Sequence, residues 1–282
     1  MDTRGEGPTH QVISKDIEYQ TQNGKPMLAR LYRPVGDGPF PALVDVHGGA
    51  WTSGDRLNNA AMAEALAASG SVVLSLDFRA PPEGAYPASI ADINLGIRFL
   101  KAHAREFGAR PDRVGGLASS SGGQQLMMTA LKPRDPRFAA LPLAGSGDID
   151  ASLAFVILCW PVADPLARYR MAQDKKIERF LTAHQAYFGG EAAMTEGNPQ
   201  LVLERGEKVS LPPTLILQGT ADDNLTADMA DRFAAAYRKA GGVVELHKFE
   251  GQPHMFVTKD PSTEAAQQAL ALMKAFVRKQ AA

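Results

Sequence analysis

The stretch Val114-Gly115-Gly116-Leu117-Ala118-Ser119-Ser120-Ser121-Gly122-Gly123-Gln124-Gln125-Leu126-Met127-Met128 decides how this chain is read. It opens as a short apolar run, narrows through small residues and continues at helical spacing. That is the pattern of a strand, a sharp turn and a helix, an arrangement that holds a nucleophilic serine strained at the top of a sheet. Strand and helix nearly touch there, so the positions two before and two after the serine must be small. Centred on Ser120 they are Ala118 and Gly122, with Gly123 next. Centred on Ser119 one of them is Leu117, which breaks the rule. Centred on Ser121 they are Ser119 and Gly123, which satisfies it but puts the glycine pair out of register. Ser120 is the leading candidate, with Ser119 and Ser121 as rivals. A Ser/Gly cluster alone is an ordinary turn signal, so the rest of the chain must carry the argument.

Length and composition narrow the field. The 282 residues suffice for one large α/β domain or two small ones. Apolar residues make up 45% and charged residues 22%, the balance of a soluble globular protein. With 30 basic and 31 acidic residues, nothing draws the chain to nucleic acid or an anionic membrane surface. No apolar run approaches a membrane span, and Met1–Pro8 lacks the apolar core of a signal peptide. The only cysteine, Cys159, excludes an internal disulfide, and together these features predict a cytoplasmic protein. Cys159 sits in an apolar run and reads as buried filler. No Cys/His cluster has metal-ligand spacing, so neither metal nor cofactor is expected.

Strand and helix patterns alternate through most of the chain. Residues 11–34 read as a hairpin around Asn23-Gly24. Ala42–Val46 is a continuous apolar strand of the kind covered on both faces. An Ala-rich helix over 57–69, a strand over 71–78 and a helix from Ile90 to Ala104 follow. A strand from Arg113 to Ala118 enters the serine turn. Later strands are 155–160, 214–217 and 243–249, with helices over 228–240 and 264–279. Such alternation implies right-handed crossovers and a mostly parallel central sheet with helices on both faces, in one domain over 1–282. Between about 161 and 210 helical pattern continues without a strand, which reads as an inserted cap; its Lys175, Lys176 and Arg179 read as a solvated helix face.

Three further signals fall at strand ends, where ligand sites of such sheets lie. His47-Gly48-Gly49-Ala50-Trp51 follows a buried strand with glycines that let backbone N–H groups approach a ligand. Such donors stabilise an oxyanion, at about 3 kcal/mol each. Gln218-Gly219-Thr220-Ala221-Asp222-Asp223 places two acids beyond a strand, either of which could hold a histidine tautomer. Glu250-Gly251-Gln252-Pro253-His254 sets a histidine in a loop after the last strand, a setting that His10, His47, His103, His184 and His247 lack. The order serine, acid, histidine is that of an α/β-hydrolase triad.

At these residues the chain resembles the α/β-hydrolase superfamily, and within it the hormone-sensitive-lipase-like carboxylesterases. His47-Gly48-Gly49-Ala50-Trp51 is similar to their HGGG or HGGxW loop. Asp77-Phe78-Arg79-Ala80-Pro81-Pro82-Glu83, with Tyr86-Pro87-Ala88 and Asp92, resembles a structural DYRLAPE block, here with Phe78 for tyrosine. Ser119-Ser120-Ser121-Gly122-Gly123 resembles their serine motif, and Gly219–Asn224 the acid loop of related hydrolases, in which the first Asp serves. Ala118 and Ala50 stand where the families have glycine. The resemblance implies catalytic Ser120, Asp222 and His254, an oxyanion hole from Gly48, Gly49, Ala50 and Ser121, and hydrolysis of small esters through an acyl-enzyme; the lack of a large apolar lid in the sequence predicts short acyl chains. Trp51, Trp160, Leu225, Met255 and Phe256 follow strand ends and are candidates for the substrate pocket. An arylformamidase or other amide hydrolase is the alternative enzyme, and a small-ligand receptor on the same fold the alternative that is not one. A homodimer through the last strand and helix is the partner the family suggests.

Overall fold

The computed structural model describes residues 9–22, 24–143, 145 and 147–282. Met1–Pro8 and Asn23, on which the leader and turn readings rest, lie outside the described residues. The hairpin strands are β1 (Val12–Gln22) and β2 (Lys25–Pro34). The succession continues β3 (Phe40–Val46), α1 (Ala60–Ala68), β4 (Val72–Leu76), α2 (Ala88–His103), β5 (Ala109–Ser119) and α3 (Ser121–Leu131). After β6 (Val156–Cys159) come four helices, α4 (Pro165–Asp174), α5 (Glu178–Phe188), α6 (Glu191–Glu196) and α7 (Pro199–Glu204). The chain closes with β7 (Thr214–Gly219), α8 (Met229–Lys239), β8 (Val244–Phe249), α9 (Phe256–Lys259) and α10 (Glu264–Ala281).

The strands form one sheet in the order β1-β2-β4-β3-β5-β6-β7-β8. Pairing is antiparallel for β1–β2 and β2–β4 and parallel from β4 across to β8. The chemistry of each strand follows its place. β4, β6 and β7 are buried along their whole length and are mostly apolar, whereas β1 at the edge is largely exposed. Helix α1 packs beside α9 and α10, and α2 beside α3, so both faces are covered. Cys159 ends β6 near the middle of the sheet, fully buried, its Sγ 3.8 Å from Met62 Sδ. The hairpin is fastened at its flank by Arg56, which bridges Asp16 on β1 and Asp77 just beyond β4.

Two departures from the sequence reading are local. β5 begins at Ala109 rather than Arg113, because Ala109 pairs with Phe40 before the ladder shifts register and resumes at Ala42–Val114. The four-residue α9 is too short to leave a periodic signal. No helix among the described residues is long and apolar enough to cross a membrane.

Candidate active site

Ser120 sits between the last residue of β5 and the first of α3, with φ 51° and ψ −122°. Only the surrounding ladder holds a non-glycine residue there. Its N–H donates to the Cys159 carbonyl at 3.0 Å, and its own carbonyl accepts from Val162 N at 2.9 Å. Gly122 explains the small-residue rule physically. A Cβ at this position would lie 2.3 Å from the His47 carbonyl oxygen, so no larger residue lets α3 start where it does.

The structure brings Ser120, His254 and Asp222 into one line. Ser120 Oγ is 3.0 Å from His254 Nε2, and His254 Nδ1 is 2.7 Å from Asp222 Oδ2. All three are nearly shielded from solvent. Asp222 also accepts from Gln218 Nε2 at 2.9 Å and from Asn224 N at 2.9 Å. Burial pushes its pKa up, but the hydrogen bonds and charge of His254, with those from Gln218 and Asn224, outweigh that and hold it below the usual carboxylate range. An ionised carboxylate only accepts, so Nδ1 carries the histidine proton and Nε2 is left to accept from the serine hydroxyl. Asp223 takes no part in this line. The acid and histidine loops are pinned together. Ala221 N donates to the Gln252 carbonyl at 3.0 Å, and a Cβ on Gly219 would come within 2.2 Å of that same oxygen.

The rival serines have other partners. Ser121 Oγ accepts from Trp51 N at 3.2 Å, and Ser119 Oγ accepts from Gly48 N at 3.1 Å. Gly48 is thereby part of the loop's scaffold rather than a free donor. The N–H groups of Gly49, Ala50 and Ser121 meet no acceptor among the described residues, so three donors stand open beside Ser120. Ala50 and Trp51 both have positive φ, 50° and 65°, which turns the loop back over the elbow. His47 supports it from below, with Nδ1 2.6 Å from the Gly48 carbonyl and its ring stacked on Phe78 at 4.2 Å.

A buried chain of side chains runs beneath this loop. Ser75 Oγ and Asn59 Nδ2 each donate to Asp45 at 2.7 Å, and Ser119 Oγ donates to Asn59 Oδ1 at 2.9 Å. Ser119 then receives Gly48 N. The sequence reading missed Asn59 and Asp45, because nothing local ties an asparagine ahead of α1 to a serine 60 positions on. Gln124 was also missed. Its Oε1 accepts from Trp51 Nε1 at 2.9 Å and its Nε2 donates to the Gly197 carbonyl at 2.7 Å, so one amide joins the loop, α3 and the chain between α6 and α7.

The five pocket candidates fall into different environments. Trp51 is buried, stacked on Tyr187 at 5.4 Å, so its ring is taken up by α5. Trp160 is fully buried, 6.2 Å from the His254 ring and 5.5 Å from Phe256. Leu225 and Phe256 belong to the buried core, while Met255 is exposed with φ 64°.

Comparison with known proteins gives the family. Residues 43–258 match the family described by its alpha/beta hydrolase fold, and the chain belongs to that family. A versiconal hemiacetal acetate esterase from Dothistroma septosporum is 32% identical over 253 residues, 86% of this chain and 75% of that one. The carboxylic ester hydrolase LipN of Mycobacterium tuberculosis is 29% identical, the match covering 89% of this chain and 66% of LipN. Among solved structures, a propionate-bound esterase 2 from Thermogutta terrifontis superposes with a TM-score of 0.75 at 25% identity, covering 99% of this chain and 97% of that one. The chain spans only part of the first curated relatives it matches, from 29% of LipM to 66% of LipN, both of Mycobacterium tuberculosis.

Proposed function

We propose that this protein is a serine carboxylesterase acting on short-acyl esters. The observation that carries the reading is the unbroken line Ser120–His254–Asp222 beside three open backbone donors. His254 Nε2 takes the hydroxyl proton as Ser120 Oγ attacks the ester carbonyl. Asp222 keeps the Nδ1 proton in place and balances the charge that forms on the ring. The N–H groups of Gly49, Ala50 and Ser121 receive the oxyanion. His254 then protonates the leaving alcohol, and a water molecule repeats the sequence on the acyl-enzyme. The short-acyl preference draws support from relatives: one is named for an acetate ester, and a structural neighbour holds propionate.

The test is hydrolysis of p-nitrophenyl esters from acetate to palmitate by the native protein and by Ser120→Ala. Expected are a kcat/KM maximum at the short end and a loss of about 10⁴-fold or more in the variant, with its circular dichroism spectrum unchanged. A folded native protein inert on every ester sinks the reading; a maximum at palmitate sinks the short-acyl part alone.

A further inference from the structure

Arg168, on α4, is a buried cation that the proposed mechanism does not use and that keeps an unpartnered guanidinium nitrogen. It is only 2% exposed. Its Nε donates to the Asn224 carbonyl at 3.0 Å, two residues beyond Asp222. The guanidinium carbon lies 3.9 Å from the centre of the Phe180 ring and 5.7 Å from that of Trp51, the residue that follows Ala50. Its Nη1 is buried with no hydrogen-bond partner, and no carboxylate lies within ion-pair distance among the described residues. Arg98, also buried, ends differently: its N–H groups reach Asn94 Oδ1 and the Leu141 carbonyl. A second cation adds to the imbalance, since Arg179 lies over the same Phe180 ring at 4.8 Å. Burial draws the Arg168 pKa down to about 10, the charge of Asp222 works against that shift and Arg179 adds to it.

An unneutralised guanidinium between aromatic faces costs stability unless an anion completes it. Three of its neighbours locate it. Trp51 continues the oxyanion loop, Asn224 continues the acid loop, and Phe180 comes from the inserted helices. The loop that carries Ala50, the loop that carries Asp222 and the inserted helices thus converge on Arg168. The free edge of a guanidinium presents parallel N–H donors, the spacing of a carboxylate's two oxygens. We propose that Arg168 is a specificity-determining residue that binds a carboxylate carried by the substrate, so that the preferred substrate class is the half-ester or acylated hydroxy acid rather than the neutral ester. This rests on the esterase reading above.

Two matched pairs test it: p-nitrophenyl hydrogen adipate against its methyl-capped diester, and 3-acetoxypropionate against its methyl ester, read as nitrophenol and acetate released. The first pair places the carboxylate on the acyl side, the second on the alcohol side. The native protein is expected to favour the charged member of one pair by about ten-fold or more in kcat/KM. Arg168→Gln is expected to bring that ratio to about one, with the loss falling on KM, and Arg168→Lys to keep part of it. An arginine that merely clamps α4 to the acid loop would change the charged and capped esters alike. A native ratio of one or less in both pairs overturns the proposal, as does a preference that survives Arg168→Gln. Should Arg168→Gln not fold, the native ratios and the lysine variant decide. Failure to hydrolyse the capped esters as well as the charged ones sinks the esterase reading itself and this proposal with it.

Discussion

Asp222 shows how much one side chain can be asked to do. It accepts from a histidine, an amide side chain and a backbone N–H at once. Asp222→Asn can place an NH₂ group against His254 Nδ1 and favour the wrong tautomer, so kcat on p-nitrophenyl acetate should fall about 10³- to 10⁴-fold with KM little changed. The same substitution has a signature in stability. A carboxyl whose pKa is lower folded than unfolded stabilises the fold above its unfolded value and loses that contribution as pH falls through the folded one. The Tm gap between the native protein and Asp222→Asn should therefore be widest near neutrality and close below about pH 4. A gap independent of pH would show that the hydrogen bonds, not the charge, matter. Ser120 and His254 could be picked from their strand-end loops, but Asp222 could be separated from Asp223 only by resemblance. Spacing does not say which of two adjacent acids turns inward; the donors Gln218 Nε2 and Asn224 N decide it.

The His47–Trp51 loop illustrates what an element tolerates. Ala50 stands at φ 50°, a conformation that glycine adopts freely and alanine only at a cost of about 1 kcal/mol. Ala50→Gly should accordingly be neutral or stabilising, by up to about 1 kcal/mol in urea unfolding, because relief of strain competes with the greater freedom of glycine in the unfolded chain. A clear loss of stability would mean that the alanine methyl makes contacts worth more than the strain. The strands and long helices were legible in the sequence because burial on both faces demands unbroken apolar runs and helices betray themselves by their period. The loop's supports were not legible. Gln124 reads as one more polar residue in a helix, yet it is fully buried and ties Trp51 to Gly197. Nothing but the folded arrangement distinguishes it from Gln267, which sits exposed on α10.

For the molecule as a whole, the buried acid that ends the chain from Gly48 through Ser119 and Asn59 matters most. Asp45 lies in β3, fully buried, with its pKa pushed up to about 6 by desolvation against the opposing hydrogen bonds of Asn59 and Ser75. A carboxyl whose pKa is raised on folding stabilises the fold below its unfolded value and loses that contribution as pH rises through the folded one. The global stability of the native protein relative to Asp45→Asn should thus decline between about pH 4 and pH 6, measured by urea unfolding at fixed ionic strength. A flat difference across that range would mean that Asp45 enters the fold already ionised.

Cys159 has a use of another kind. The chain contains a single thiol, and it is sealed in the middle of the sheet beside Met62. Burial raises its pKa, so both access and thiolate are withheld in the folded state. A maleimide or disulfide reagent should leave activity untouched and react only when β6 separates from its neighbours. The rate of labelling at low reagent is then a clock for the rarest opening of the molecule, obtained without introducing a probe.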